Sequence, residues 1–275
     1  MSIAVTGASG QLGRLVADRL LETVEPGEVV LLSRDPSKLA EYAERGAVTR
    51  RADFDDPASL PGAFAGVEKL LLISTDAVGQ RVAGHQAAID AAVAAGVRHI
   101  AYTSIPEPVE ANPAAVVPDH HATEEALRAS GLAWTMLRNN IYADMQVATV
   151  EQAEAAGRLV TNLGDGATAY VTRADCAAVA AAVLSTDGHE NQAYDVTGPE
   201  AVGAAELAAL AGGVEIVQVD DAAYIEGLVG AGLPQPVAEL LASFPQSARE
   251  GYADHVSDVV ERLTGRAPTP LKALL

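Results

Sequence analysis

Residues 3–13 read Ile-Ala-Val-Thr-Gly-Ala-Ser-Gly-Gln-Leu-Gly, a short apolar strand that runs into Gly7, Gly10 and Gly13 with an apolar-periodic helix behind them. This arrangement builds an anion site. The first glycine lets the chain turn sharply at the strand end, the second lets backbone approach a diphosphate, and the third lets helix and strand pack closely. The free N–H groups and the positive dipole end of the helix then face the phosphates. A glycine triplet alone is a weak signal. Here it follows a strand, precedes a helix and sits where a first βαβ unit begins, which is the context that gives it meaning.

The stretch that follows alternates strand and helix. Strands are predicted at 2–6, 28–32, 47–51, 69–73, 97–103 and 133–137, all short apolar runs suited to parallel strands covered on both faces. Helices are predicted at 11–23, 36–45, 57–64, 79–95 and 120–130. Asp35-Pro36 and Asp56-Pro57 each read as an N-cap followed by proline in the first helical position. Gly46, Gly66, Gly96 and Gly131 fall where left-handed C-caps belong. The expected fold is α/β, a Rossmann-type doubly wound parallel sheet with a smaller C-terminal substrate lobe. Residues 1–138 form the dinucleotide-binding core, and a late strand near 192–197 returns to its sheet. Residues 139–275 supply most of the lobe, with a helix over 139–156, strands near 158–161 and 169–172, a helix over 173–185, and a mostly helical tail holding one strand near 214–219. In that tail the apolar stretch 225–244, with Leu228, Val229, Leu233, Val237, Leu240 and Leu241, reads as lobe core, or else as a partner surface.

Composition narrows the function. The net charge is −19, which repels nucleic-acid backbones and anionic lipid, so neither is an expected partner. Apolar residues make up 49% of the chain and aromatics only 4%, so Ala, Val and Leu must build the core. Cys176 is the one cysteine; it excludes an intrachain disulfide, fits a reducing cytoplasm and reads as a buried structural thiol. No basic segment precedes an apolar run at the N-terminus, and no apolar run approaches the ~20 residues that span a bilayer.

Cofactor type is set at the end of the second strand, where an acid grips the ribose 2′-OH of NAD and an arginine accommodates the 2′-phosphate of NADP. Arg34 holds that place, with Ser33 before it and Lys38 a turn later, so NADP(H) is favoured. Asp35 reads as a helix cap; turned inward it would admit NAD(H). At the third strand Asp53 and Phe54 are placed to meet the adenine, while Asp55 and Asp56 read as caps of the next helix. Ser74 and Thr75 end the fourth strand beside the ribose and nicotinamide path, and Tyr102, Thr103 and Ser104 end the fifth, with Ser104 on the cofactor side. A tyrosine followed four residues on by lysine, the usual proton-donating pair of short-chain dehydrogenases, is missing: Tyr102 is followed by Pro106 and Tyr142 by Gln146. His120 and His121 lack a third ligand at regular spacing, so no metal is expected; His120, near a helix start, is a candidate to orient substrate or supply a proton.

Together these residues resemble the NmrA-like atypical short-chain dehydrogenase/reductases, and within them the NAD(P)H:quinone oxidoreductases of type two. The resemblance spans nearly the whole chain. It rests on Thr-Gly-Ala-Ser-Gly-Gln-Leu-Gly at 6–13, Gly-Val-Glu-Lys-Leu-Leu-Leu-Ile-Ser at 66–74, Val-Gly-Gln-Arg at 78–81, Ala-Ala-Gly-Val-Arg-His-Ile-Ala-Tyr-Thr-Ser at 94–104, Leu-Arg-Asn at 137–139 with Tyr142, Thr-Arg-Ala-Asp at 172–175, and Tyr194 through Gly198. It implies that Gly7, Gly10, Gln11, Leu12 and Gly13 line the diphosphate, with Thr6 and Ser9 in the same turn. It places Arg34 at the ribose phosphate, Asp53 and Phe54 at the adenine, and Ser74 and Thr75 at the nicotinamide ribose. One departure stands out: Glu125 occupies the position where the family's His-x-x-Thr-Glu-Lys stretch carries lysine, with His120, Thr123 and Glu124 in place before it.

The implied activity is hydride transfer from NAD(P)H to a quinone or related electron-poor aromatic, a polycyclic polyketide among the candidates. The reduced product is a delocalised phenolate, which needs less acid assistance than an alkoxide, so proximity and orientation carry the reaction. Tyr142, His120, Tyr102 and Thr103 are the candidates for the substrate wall. The alternative is a non-catalytic dinucleotide sensor acting through a protein partner; an epimerase ranks below both because it needs the Tyr/Lys pair. Beyond the small aromatic substrate, a homodimer is the one association left open.

Overall fold

The computed structural model describes residues 1–275. Its centre is a seven-stranded sheet in the order β3-β2-β1-β4-β5-β6-β9, every neighbouring pair parallel. The strands are β1 (Ile3–Val5), β2 (Val29–Ser33), β3 (Val48–Arg51), β4 (Lys69–Leu72), β5 (His99–Ser104), β6 (Ala133–Asn139) and β9 (Gln192–Val196). Strand order reverses between β1 and β4, and the carboxyl ends of those strands border the crevice where such sheets bind ligands.

Side chains on successive strand positions point to opposite faces, and the two faces build separate cores. Ile3, Val5, Leu31, Leu71, Ala101 and Leu137 pack under α1 (Gln11–Thr23) and α7 (Arg173–Ser185). Ala4, Val30, Leu32, Leu70, Leu72, Ile100, Tyr102 and Met136 pack under α3 (Leu60–Phe64), α4 (Arg81–Ala95) and α5 (Val117–Ala129). Small side chains let the layers close: α7 contributes Ala177, Ala180 and Ala181 to its core and α4 contributes Ala88 and Ala92.

The expected first helix, 11–23, matches α1 residue for residue. Two other helices begin as 3-10 turns, Pro36–Leu39 before α2 (Ala40–Glu44) and Pro57–Ser59 before α3, as proline in the first turn allows. Asp35 is a cap in fact, its carboxylate accepting the Ser37 N–H at 3.1 Å. Asp56 makes no such bond; its carboxylate is taken by Arg51 at 2.6 Å. Gly46, Gly66, Gly96 and Gly131 all have positive φ.

Beyond β6 the expected boundaries shift. The helix placed at 139–156 starts at α6 (Ala143–Ala156), because Asn139 still belongs to β6 and the Asn140 N–H binds Val196 O at 3.0 Å. Residues 169–172 are not a strand: Ala169 N–H goes to Ala253 O and Val171 N–H to Ile141 O, so no single partner makes a ladder. The pairing falls one step earlier, between β8 (Ala167–Thr168) and β10 (Val202–Gly203). A second two-stranded sheet joins β7 (Arg158–Thr161) to β11 (Glu215–Gln218) in parallel. These strands, α6 and α8 (Ala204–Leu210) enclose a small core of Ala143, Val150, Leu159, Leu163, Tyr170 and Leu207. The segment 139–275 is therefore shared, since α7, β9 and α11 (Val259–Thr264) pack into the main body.

The apolar stretch 225–244 is lobe core only in part, through Ala238 and Ala242. It forms α9 (Asp221–Gly230), which has no buried residue, and α10 (Gln235–Arg249). Val229 and Val237 are exposed, while Leu240 and Phe244 rest on Ile105, Ala114, Val116 and Val117 at the carboxyl end of the sheet. A helix whose one close helical neighbour is another surface helix has little against which to bury its apolar side chains. No helix is long and apolar enough to cross a membrane.

Candidate active site

The β1–α1 turn is built to receive an anion. Gly7 has φ +59°, a left-handed value that favours glycine. A Cβ on Gly13 would lie 2.3 Å from Gly7 O and 2.7 Å from Ala8 Cα, so no other residue fits without moving backbone. On Gly10 a Cβ would stand 3.2 Å from Gly7 O. The first helical bond is Arg14 N–H to Gly10 O, which leaves the N–H groups of Gln11, Leu12 and Gly13 without a protein acceptor. Gly10 has no side chain to cap them, and the first turn holds no acid. Side-chain caps are found on only some helices, Thr172 on α7 and Asp220 on α9, while α4, α5 and α6 also lack one. The bare start of α1, at the crevice of the sheet, fits a diphosphate.

Ser9 and Ser33 hydroxyls lie 2.9 Å apart and join this turn to the end of β2. Arg34 and Lys38 are exposed there, and neither guanidinium nor ammonium makes a hydrogen bond or ion pair. Asp35, by contrast, accepts from both the N–H and the hydroxyl of Ser37, and those bonds lower its carboxyl pKa. At this edge the cations are free and the acid is engaged, which suits a 2′-phosphate better than a bare ribose. Asp53 is held by Arg51 at 3.1 Å and accepts the Asp55 N–H, and Phe54 is partly buried with its ring 6.2 Å from that of His85.

Several hydroxyls expected to face a ligand face the protein. Thr6 is 2% exposed; it donates to Leu71 O at 3.1 Å and accepts the Ile73 N–H at 2.9 Å, which staples β1 to β4. Thr103 is buried; it accepts the Ser74 N–H at 2.9 Å and donates to the Ser74 hydroxyl at 3.3 Å. Ser104 donates to Glu124 at 2.7 Å and is also buried. Tyr102 is wholly buried, because strand alternation turns it under α4 and α5, and its hydroxyl lies 2.8 Å from His120 Nδ1. The hydroxyls of Thr6, Tyr102, Thr103 and Ser104 are thus all engaged within the protein.

His120 and Tyr142 are differently placed. Burial holds the His120 pKa well below its ordinary value, with the Arg81 charge adding to the effect, so the ring is neutral at pH 7. Its Nδ1 is engaged by Tyr102, while Nε2 has no protein partner and touches solvent. Tyr142 caps the start of α6, partly buried, with the Arg173 guanidinium 4.5 Å from its ring centroid. Burial pushes its phenol pKa upward. The adjacent His121 points away, to Pro108 O at 2.8 Å. Glu125 is on the outer face of α5, paired with Arg128 at 2.6 Å, so a lysine at this position would extend away from the sheet. Cys176 is buried beneath α1, and burial raises its thiol pKa.

Sequence reasoning passed over two buried networks beside these residues. Glu124 accepts both arms of the Arg138 fork, at 3.0 and 2.9 Å, and Arg128 at 2.7 Å. Burial alone would raise its carboxyl pKa, but Arg138, Ser104 and Arg128 bring it below the ordinary value. Arg81 pairs with Asp119 at 2.9 Å, both nearly inaccessible, while His85 contacts Thr123 at 3.0 Å. A signal was available: Arg81 and His85, like Asp119 and Thr123, are four residues apart, so each pair shares one helix face.

Known proteins resemble this chain in sequence and in fold. The sequence profile of a family described as NAD(P)H-binding matches residues 7–187. Quinone oxidoreductase 2 of Escherichia coli is 39% identical over 98% of this chain and 96% of its own. An NAD(P)H azoreductase of Xenophilus azovorans is 31% identical over 96% of this chain and 93% of its own. Among solved structures, an E. coli NADPH-dependent quinone oxidoreductase in complex with NADPH superposes with a TM-score of 0.94, at 38% identity over 98% of this chain and 97% of its own. From the Gly7 turn to α7, and by relatedness over its whole length, the chain belongs to the NAD(P)H-binding family.

Proposed function

We propose that the protein is an NAD(P)H-dependent reductase, with NADPH as the preferred donor and a quinone or related electron-poor aromatic as acceptor. The observation that carries this reading is the uncapped start of α1, closed by Gly13 and flanked by the unpaired cations Arg34 and Lys38. The named relatives over the whole chain, a quinone reductase and an azo-dye reductase, support the acceptor class.

On this reading the N–H groups of Gln11, Leu12 and Gly13 bind the diphosphate, Gly7 and Gly10 let it approach, and Ser9 and Ser33 shape the turn beside it. Arg34 and Lys38 hold the 2′-phosphate. Phe54 flanks the adenine, with the Asp53 carboxylate at its edge. Ser74 and Thr75 line the path past β4. When bound, the cofactor supplies hydride at its nicotinamide C4. The chain's own part is to orient the acceptor and to exclude water. Tyr142 offers a ring face, stiffened by Arg173. With Tyr102 donating to Nδ1, His120 presents an Nε2–H to an acceptor oxygen as negative charge develops there, which electrostatically favours transfer. Leu240 and Phe244 of α10 cover the carboxyl end of the sheet nearby.

The test is steady-state NADPH oxidation with a panel of mono- and polycyclic quinones and azo acceptors. Turnover with one or more of them, faster with NADPH than with NADH, is the expected result; tight NADPH binding without turnover on any acceptor contradicts the reductase reading.

A further inference from the structure

Thr75 stands three residues beyond the end of β4, and the loop that carries it abuts the phosphate turn: the Ile73 N–H donates to Thr6 Oγ1 at 2.9 Å, and a Cβ on Gly7 would lie 3.7 Å from Ile73 Cβ. Any ligand that leaves the β1–α1 turn toward the carboxyl ends of β4 and β5 passes this residue. Both backbone polar groups of Thr75 are held by side chains from one face of α4. Its N–H donates to His85 Nε2 at 3.3 Å, and its carbonyl accepts from Arg81 Nη1 at 3.1 Å. Each holding group is itself fixed from α5. Arg81 Nε donates to Asp119 Oδ2 at 2.9 Å, and the same oxygen takes the Gly79 N–H at 2.6 Å. Thr123 spends its one proton on Asp119 O at 2.8 Å, so its oxygen accepts from His85 Nδ1–H at 3.0 Å. That assigns the tautomer: Nδ1 carries the proton, and Nε2 carries the lone pair that Thr75 uses.

All four side chains are buried, His85 completely. Stability is a poor reason for the arrangement. A buried ion pair is often no better than apolar residues of the same volume, and here Arg81 Nη2 is buried without a partner. What the network does supply is a loop held at two points and unable to slide.

We propose that Arg81 and His85 are positioning residues for hydride transfer: they clamp the two backbone groups of Thr75 and so fix the wall of the crevice past which the nicotinamide half of the cofactor runs. The inference rests on the reductase reading above. Neither residue touches the reacting atoms. Loosening the clamp leaves the diphosphate turn and the Arg34 edge intact, so binding persists while transfer loses rate and facial selectivity.

The experiment compares the unaltered protein with His85→Leu, His85→Gln and Arg81→Lys. Leucine removes the acceptor at near-equal volume, glutamine restores one through its amide oxygen, and lysine keeps the charge facing Asp119 without the fork that reaches Thr75. Affinity for NADP+ is measured by calorimetry. Single-turnover transfer to 1,4-naphthoquinone is followed with NADPH carrying deuterium at one or the other C4 position. His85→Leu and Arg81→Lys are expected to hold NADP+ within about threefold. Their transfer should slow by about tenfold or more, as misplacement at a reacting centre does, with deuterium lost from either C4 position, read as the deuterium retained in the NADP+ formed; His85→Gln should recover both properties. Wild-type rate and one-face transfer in His85→Leu or Arg81→Lys overturns the clamp, whatever happens to their melting temperatures. If the unaltered protein takes up NADP+ but reduces no quinone, the reductase reading falls first; the clamp is overturned on its own only by variants that behave like a working parent.

Discussion

The two ends of the crevice treat their polar groups in opposite ways. At the β1–β2 end they are left free: three N–H groups at the start of α1 have no acceptor, and Arg34 and Lys38 have no counterion. At the β4–β5 end they are spent on one another: Tyr102 on His120, Thr103 on Ser74, Ser104 on Glu124, and Thr75 between Arg81 and His85. A free polar group at the mouth of a crevice is available to a ligand, whereas a paired one shapes the wall. On the proposed reading the first end provides affinity and the second provides geometry.

The strongest way to break this contrast is Gly13→Ala. The new Cβ meets backbone on two sides, so the turn must open. Cofactor binding should fall by more than about a hundredfold, and the melting curve should drop by an amount in the ~1–3 kcal/mol range of overpacking. Calorimetric titration and thermal unfolding measure the two, and near-normal binding in this variant would show that α1 does not hold the diphosphate.

On stability alone the larger effect belongs to Glu124→Ala, which strands Arg138 and takes one of two carboxylate partners from Arg128, and should cost about 3–5 kcal/mol at pH 7 while leaving cofactor affinity little changed. The pH dependence has a definite sign. The folded-state pKa of Glu124 lies below the ordinary 4.5, so its contribution is complete above that value and is lost as pH falls through the folded pKa. Denaturant melts should show the gap between Glu124→Ala and the parent shrinking below pH 4.5; a constant gap contradicts the assignment.

A smaller, sharper effect is expected at the free end. Arg34→Ala removes charge-assisted hydrogen bonds worth about 1.5–3 kcal/mol, so NADPH should bind about ten- to a hundredfold more weakly with NADH unaffected. Equal losses for both cofactors would move Arg34 away from the 2′-phosphate. The smallest effect belongs to Tyr102→Phe. It removes one buried hydrogen bond, about 1 kcal/mol of stability, and turnover should stay within a few-fold of the parent; a loss of a hundredfold would return Tyr102 to the chemistry.

The same contrast explains what the sequence could and could not say. Glycine geometry is local, so spacing alone marked Gly7, Gly10 and Gly13 as a tight strand-to-helix turn, and the alternation of apolar runs marked the sheet. Arg34 and Asp35 were also readable, since a cap and a strand-end cation are set by near neighbours. Tyr102, Thr103 and Ser104 invite a ligand role from sequence because a hydroxyl at a strand end looks the same whether it faces a ligand or a helix. Only the packing of α4 and α5 decides that. Arg81, His85, Asp119 and Thr123 acquire meaning through contacts between helices about 38 positions apart in sequence. The stretch 225–244 looked like core from its hydrophobicity, yet where it packs depends on what the rest of the lobe leaves available.

The most direct test is a calorimetric titration of the purified protein with NADPH, NADH, NADP+ and NAD+ under one set of conditions. Saturable binding of one molecule per chain, tighter for the two phosphorylated forms, is the result the free end of the crevice demands. Heat no different from dilution for all four would contradict it, and the reductase built on that site would have no donor.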